Sequence, residues 1–315
     1  MSSLPTLEEF RSHIDAQHGL FDPHGELTKT QDRTHAFSIL AGAYVNSFHG
    51  KMARILNART ISGVDPLKRT MDTLGILDEI EYGEEDVAVG AAQRLWRIHA
   101  HATAVMADGT AVMADGTAVS ATDTDLLAVA LITGFRCTAA LQTLDHSMTL
   151  DDVDERIQKH FHAYWVERSG IMAAVGIPNG YLPENPDEAV KWWTDQLQEH
   201  IIADAAQNSL EGILDAFTST ASGQVGAMKT RIASKLASGV VTREVQTIAF
   251  YAAPQFLREA GWPDGPPHLG HAALLTLPVA NRVLPDWITE GIPRECPEAR
   301  RVMSLLAEEN SSSPE

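Results

Sequence analysis

The stretch Glu84–Ala102, EEDVAVGAAQRLWRIHAHA, decides the fold class. Apolar residues recur at Val87, Ala91, Leu95, Ile98 and Ala102, the three- and four-residue spacing of one helix face, and acids open the first turn where a helix favours negative charge. At about 100° per residue His99 lies roughly 40° from Leu95 and points inward, whereas His101 is turned about 120° from Leu95. An inward imidazole can pack as a hydrogen-bonded core histidine, the commoner outcome of such a pattern, or present a nitrogen to a metal or haem iron. Pattern alone leaves both open.

The same period runs through most of the chain, and alternating Val/Ile/Thr segments are scarce, so the expectation is an all-α fold forming a single large helical domain. Helices are expected at about 4–17, 32–57, 66–81, 84–104, 123–143, 149–175, 186–205, 206–238, 241–260 and 295–308. The divisions expected are an N-terminal helical extension over 1–30, a main body over 31–295, and a C-terminal helix with a disordered tail over 296–315. Asn185-Pro186 followed by Asp187 and Glu188 reads as a helix start, with asparagine as the cap and proline in the first turn. An exact tandem repeat, TAVMADG at 103–109 and again at 110–116, ends each copy in Asp-Gly and reads as a duplication in a tolerant loop.

The helix over 66–81 is apolar on two sides, Leu67, Met71 and Leu74 on one and Ile76 and Ile80 on the other. Arg69 and Thr73, four residues apart, fall on the Ile76/Ile80 side. A guanidinium in an apolar stripe needs an anionic partner, or it reaches past the stripe to water.

Composition narrows the function classes. A formal charge of −18 disfavours phosphate-backbone binding, so nucleic acid is not an expected partner. The two cysteines, Cys137 and Cys296, lack CxxC spacing, and a reducing cytoplasm fits. Cys137 is expected to pack as a small hydrophobe, and Trp165, Trp192 and Trp193 to pack helices. The N-terminus lacks the apolar core of a secretory signal, and no run reaches about 18 consecutive apolar residues; Leu126–Thr133 is too short. No integral membrane segment is therefore expected. GxGxxG, Walker, G-x-S-x-G and HExxH motifs are absent.

The ordered set Asp65-Pro66, Arg69, Thr73, Tyr82-Gly83 and Arg97-Ile98-His99-Ala100, followed by SATDTDLLAVALITGF, resembles the central region of the rubber-oxygenase (latex clearing protein)/MpaB family. The similarity reaches back to SFHGKMARI, where His49 stands at the histidine of a family His-Pro pair and Gly50 replaces the proline, and forward to about Pro183. The resemblance implies a globin-like helical core binding haem b, with His99 as the axial iron ligand and Arg69 and Thr73 in the pocket. It further implies oxidation of a small organic substrate by dioxygen or a peroxide, including carbon–carbon double-bond cleavage; a homodimer is admissible. Two departures bear on the pocket: Asp72 replaces a lysine that precedes the threonine in rubber-cleaving members, and Leu131 replaces a histidine of a later family helix.

Two other readings compete. A non-haem metal enzyme would draw on His160 and His162, His268 and His271, or Asp32 and His35, but His160 and His162 diverge by about 200° on a helix, and the paired Glu-x-x-His of di-iron bundles is missing. A cofactor-free helical ligand-binding protein is the third reading.

Overall fold

The computed structural model describes residues 3–21, 35–60, 66–105, 119–145, 152–200 and 245–259, with short pieces at 297–298, 301–302 and 304–305. The repeat beyond Val105, the expected helix over 206–238, His268, His271 and Asp32 lie outside the described residues. Of the described residues 77% are helical and none forms a strand, which establishes the all-α class. The helices are α1 (Leu7–His13), α2 (His35–Asn46), α3 (Gly50–Thr60), α4 (Pro66–Tyr82), α5 (Glu85–Val105), α6 (Thr124–Asp145), α7 (Val153–Val166), α8 (Arg168–Val175), α9 (Pro186–Glu199), α10 (245–252) and α11 (Gln255–Glu259).

Helix α6 is the centre of the packing. Leu126, Ala128, Val129, Ile132, Cys137, Ala139, Ala140 and Leu144 are buried, and they fall around most of the helix rather than on one stripe. A helix apolar on nearly every side has to be covered on every side, and α2, α7, α8 and α9 supply the cover. Its stretch Thr124–Leu144 has the length and composition to cross a membrane, beyond the short apolar run read from the sequence, but 78% of that stretch is buried inside the fold. Polar residues on α6 are matched within the core: Thr133 Oγ1 accepts from Trp193 Nε1 at 2.9 Å, and Thr143 Oγ1 donates to Ala139 O at 2.8 Å. Arg136 is buried too, donating to Ala252 O of α10 and to Gln158 Oε1 of α7. Burial lowers its pKa to about 10, so it still carries its charge at neutral pH.

Three helices expected as continuous are broken. The span 32–57 divides at Ser47–His49, where Ser47 Oγ donates to Tyr44 O at 2.6 Å and Phe48 and His49 donate to carbonyls three residues back. Serine back-bonding and tighter i→i−3 bonds turn the chain without interrupting its apolar period, so the period could not reveal the break. The span 149–175 divides at Glu167, whose N–H donates to Tyr164 O at 3.0 Å. Arg168 holds the bend by donating to Trp165 O at 2.7 Å and lying 5.0 Å over the Trp165 ring. Pro254 separates α10 from α11.

Other local expectations hold. Asn185 caps α9, its side chain accepting from Asp187 N at 2.8 Å and Glu188 N at 3.3 Å. Trp165 and Trp193 are fully buried, Trp165 donating to the carbonyls of Pro183 and Glu184. Cys137 is buried, and desolvation pushes its thiol up to about 12, so it packs as a hydrophobe and does not ionise. Near the C-terminus, Arg301 donates to Gln17 O at 2.8 Å and to Tyr82 O at 2.7 Å, tying the N-terminal turn to the end of α4.

Asn185→Ala removes two capping bonds from an exposed helix start and is expected to cost about 1 kcal/mol, whereas Asn185→Gly costs only a few tenths. Urea midpoints of the two variants check the order, and a midpoint unchanged in Asn185→Ala would show that the side-chain cap contributes nothing.

Candidate functional site

The candidate site is built on the α4–α5 hairpin. Its hinge at Gly83 is steric: a Cβ there would sit 2.4 Å from Glu79 O and 2.9 Å from Val87 Cγ1, so only glycine lets the chain reverse this tightly. Glu85 and Asp86 then open α5 with negative charge against its N-terminal N–H groups. An Arg94–Glu79 ion pair bridges the two helices.

Thr73 lies six residues before Glu79 on α4, and His99 lies five residues after Arg94 on α5. Both are half-buried. Arg69 is one turn before Thr73 on α4, and its side chain lies outside the described residues. The Ile76/Ile80 side is the inward one: Ile80 is fully buried and Ile76 packs against the core.

The inward face of α5 is shifted from the one read in the sequence. Val87 is 37% exposed, while Ala88, Ala91 and Ala92 are fully buried. Small side chains let neighbouring helices approach closely, so alanines rather than the larger valine sit at the contact. His99 lies seven residues beyond Ala92 and hence about 20° around the helix from it, close to the centre of the buried face. Its Nδ1 is buried, and His101 is exposed. Trp96 and Ala102 flank His99 one turn on either side. Ala102 packs with Ala121 and Ile55 of α3.

Trp96 has no counterpart among the candidate residues read from the sequence. Its benzo edge fits against Gly176, where an added Cβ would meet Cζ3 at 2.7 Å, and Gly176 has φ +94°. Its indole N–H is buried without a hydrogen-bond partner. The signal was slight: Trp96 falls beside the apolar stripe, and nothing in the sequence couples it to a glycine 80 residues away.

The remaining sequence candidates are accounted for separately. His162 Nε2 lies 2.9 Å from both Asp187 Oδ1 and Gln158 Nε2, in a surface network that holds the Asp187 carboxyl below its usual range. His160 stacks on Tyr164, so the two histidines face different neighbours as the helical angle requires. Leu131 is partly buried against the core, and Asp72 is exposed. His49 is buried at the α2–α3 turn, its ring against His200. Among the described residues no group of three His, Cys, Asp or Glu side chains converges to hold an ion.

The sequence model described as ER-bound oxygenase mpaB/B'/rubber oxygenase, catalytic domain, matches residues 30–306. The chain belongs to this family. No curated protein and no solved structure matches it. The matched span includes Arg69, Thr73 and His99, and membership in an oxygenase family supports an enzyme of oxygenase type.

Gly176→Ala strains a left-handed backbone and drives a methyl into the Trp96 ring, with an expected loss of about 1–3 kcal/mol. Thermal unfolding and tryptophan emission of the variant check it. An unchanged midpoint with unchanged emission would show that Trp96 does not depend on this cradle.

Proposed function

We propose that this family member is a haem b-dependent oxygenase, with His99 as the axial iron ligand and Arg69 and Thr73 as pocket residues. The observation that carries the reading is the half-buried His99 of the Arg-x-His-Ala motif, on the inward face of α5. A porphyrin brings four nitrogens of its own and asks the protein for an axial ligand, an apolar surround and anchoring for its carboxylates. One inward histidine flanked by Leu95, Trp96 and Ala102 fits that demand. A bare ferrous site of the facial-triad kind asks for three protein donors, and the described residues bring no such group together.

When bound, haem iron supplies the activation of dioxygen or a peroxide for oxidation of a small organic substrate. The chain's own residues do the rest. His99 offers one neutral ring nitrogen and is held in place by the packing of α5. Thr73 offers a hydroxyl that donates one hydrogen bond and accepts others, suited to orienting the polar end of an oxidant or substrate. Arg69 supplies a permanent cation for an anionic group, a propionate or a substrate carboxylate. Asp72, exposed at the position where rubber-cleaving members carry lysine, replaces that amine with a carboxylate, which argues for a small metabolite over polyisoprene. The reading includes a cytoplasmic location and a packing role for α6, supported by the burial of most of that helix.

The deciding measurement is a pyridine haemochrome assay with an absorption spectrum, on protein expressed with a haem precursor. About one haem b per chain is expected. His99→Ala is expected to lose the bound haem and its Soret band, and Thr73→Val to keep haem while kcat/KM falls roughly 10-fold or more. Haem retained at the wild-type level in His99→Ala overturns the ligand assignment. A chain that takes up no haem on titration overturns the haem-dependent mechanism and leaves a non-haem metal enzyme or a cofactor-free helical ligand-binding protein.

A further inference from the structure

The turn between α2 and α3 holds a second histidine arrangement that the oxygenase reading does not use. His49 is 1% exposed, and its ring centroid lies 4.8 Å from that of His200, the residue that ends α9, with the rings tilted by 55°. The backbones join at the same place, Gly50 N–H donating to His200 O at 2.8 Å. His49 Nδ1 and Asn46 Oδ1, three residues earlier, are both buried without hydrogen-bond partners. Buried polar atoms of this kind are uncommon in folded proteins.

Among the described residues, the charged and titratable groups acting on His49 come from three elements: Lys51 from α3, His200 from the end of α9 and Asp125 from the first turn of α6. Asp125 is already engaged, accepting a hydrogen bond from the Tyr181 hydroxyl. A proton placed on His49 would therefore sit away from water, against a second imidazole and near an ammonium, with one shared carboxylate opposing them.

We propose that His49 and His200 form a proton-operated latch, which holds the α2–α3 turn against the end of α9 while His49 is neutral and releases it in acid. Burial, followed by the nearby His200 and Lys51, lowers the His49 pKa from 6.5 to about 4 in the closed form. In an opened form the ring regains water and its ordinary basicity, so the open state binds more protons below 6.5. Closure is fully favoured above pH 6.5 and weakens as pH falls, the open fraction rising up to 10-fold per pH unit and levelling near pH 4 after about 300-fold. The freed element is the start of α3, whose Ile55 packs against Ala102, three residues beyond His99 on α5.

Hydrogen exchange followed by mass spectrometry on the full chain, between pH 7.5 and 4.5 and corrected for intrinsic rates, tests the latch. Peptides over 44–52 and 192–200 are expected to lose protection progressively below pH 6.5, while a peptide over 126–141 in α6 stays protected. His49→Asn should abolish the acid-dependent loss. His200→Gln, which keeps His49 but removes the second imidazole, should reduce it. Protection independent of pH in the wild-type turn peptides overturns the proposal, as does loss that occurs equally in α6. An acid response that persists undiminished in both variants also overturns it.

Discussion

The need to bury α6 on nearly all sides arranges the helices around it. Its side chains are apolar around most of the circumference, so leaving any side in water would forfeit about 25 cal/mol for each Å² of apolar surface left exposed. Helices α2, α7, α8 and α9 close around it. The polar groups it carries into the core are satisfied by their neighbours, Thr133 by Trp193 and Arg136 by Gln158 and the Ala252 carbonyl. Those bonds fix which helix lies on which side, because an unmatched buried hydroxyl or guanidinium costs more than a misplaced methyl group.

The α4–α5 hairpin is held against this core by a different device. Gly83 permits the reversal, small residues at Ala88, Ala91 and Ala92 permit close approach, and Arg94–Glu79 bridges the two helices.

Much of this was legible along the chain. The 3.6-residue period announced the all-α class, the Asn-Pro-Asp-Glu start announced the cap of α9, and the burial of Cys137 and the tryptophans followed from residue type. His99 as the inward histidine of its pair followed from angles alone. The family followed from the ordered motif between Asp65 and Ala100. The breaks at Ser47–His49 and Glu167 were not legible, since i→i−3 bonds bend a chain without disturbing its apolar spacing. Val87 misled because hydrophobicity along a helix does not say how near the neighbouring helix stands.

What the sequence by itself determined is what depends on local geometry and composition: helix type, capping, which of two histidines turns inward, and the family. Only the tertiary structure decided which distant residues meet: Trp96 against Gly176, and His49 against His200. The physical reason is that these contacts join positions up to about 150 residues apart in the chain. Their terms, ring-to-glycine clearance and desolvation of a buried imidazole, take values only once both partners are placed.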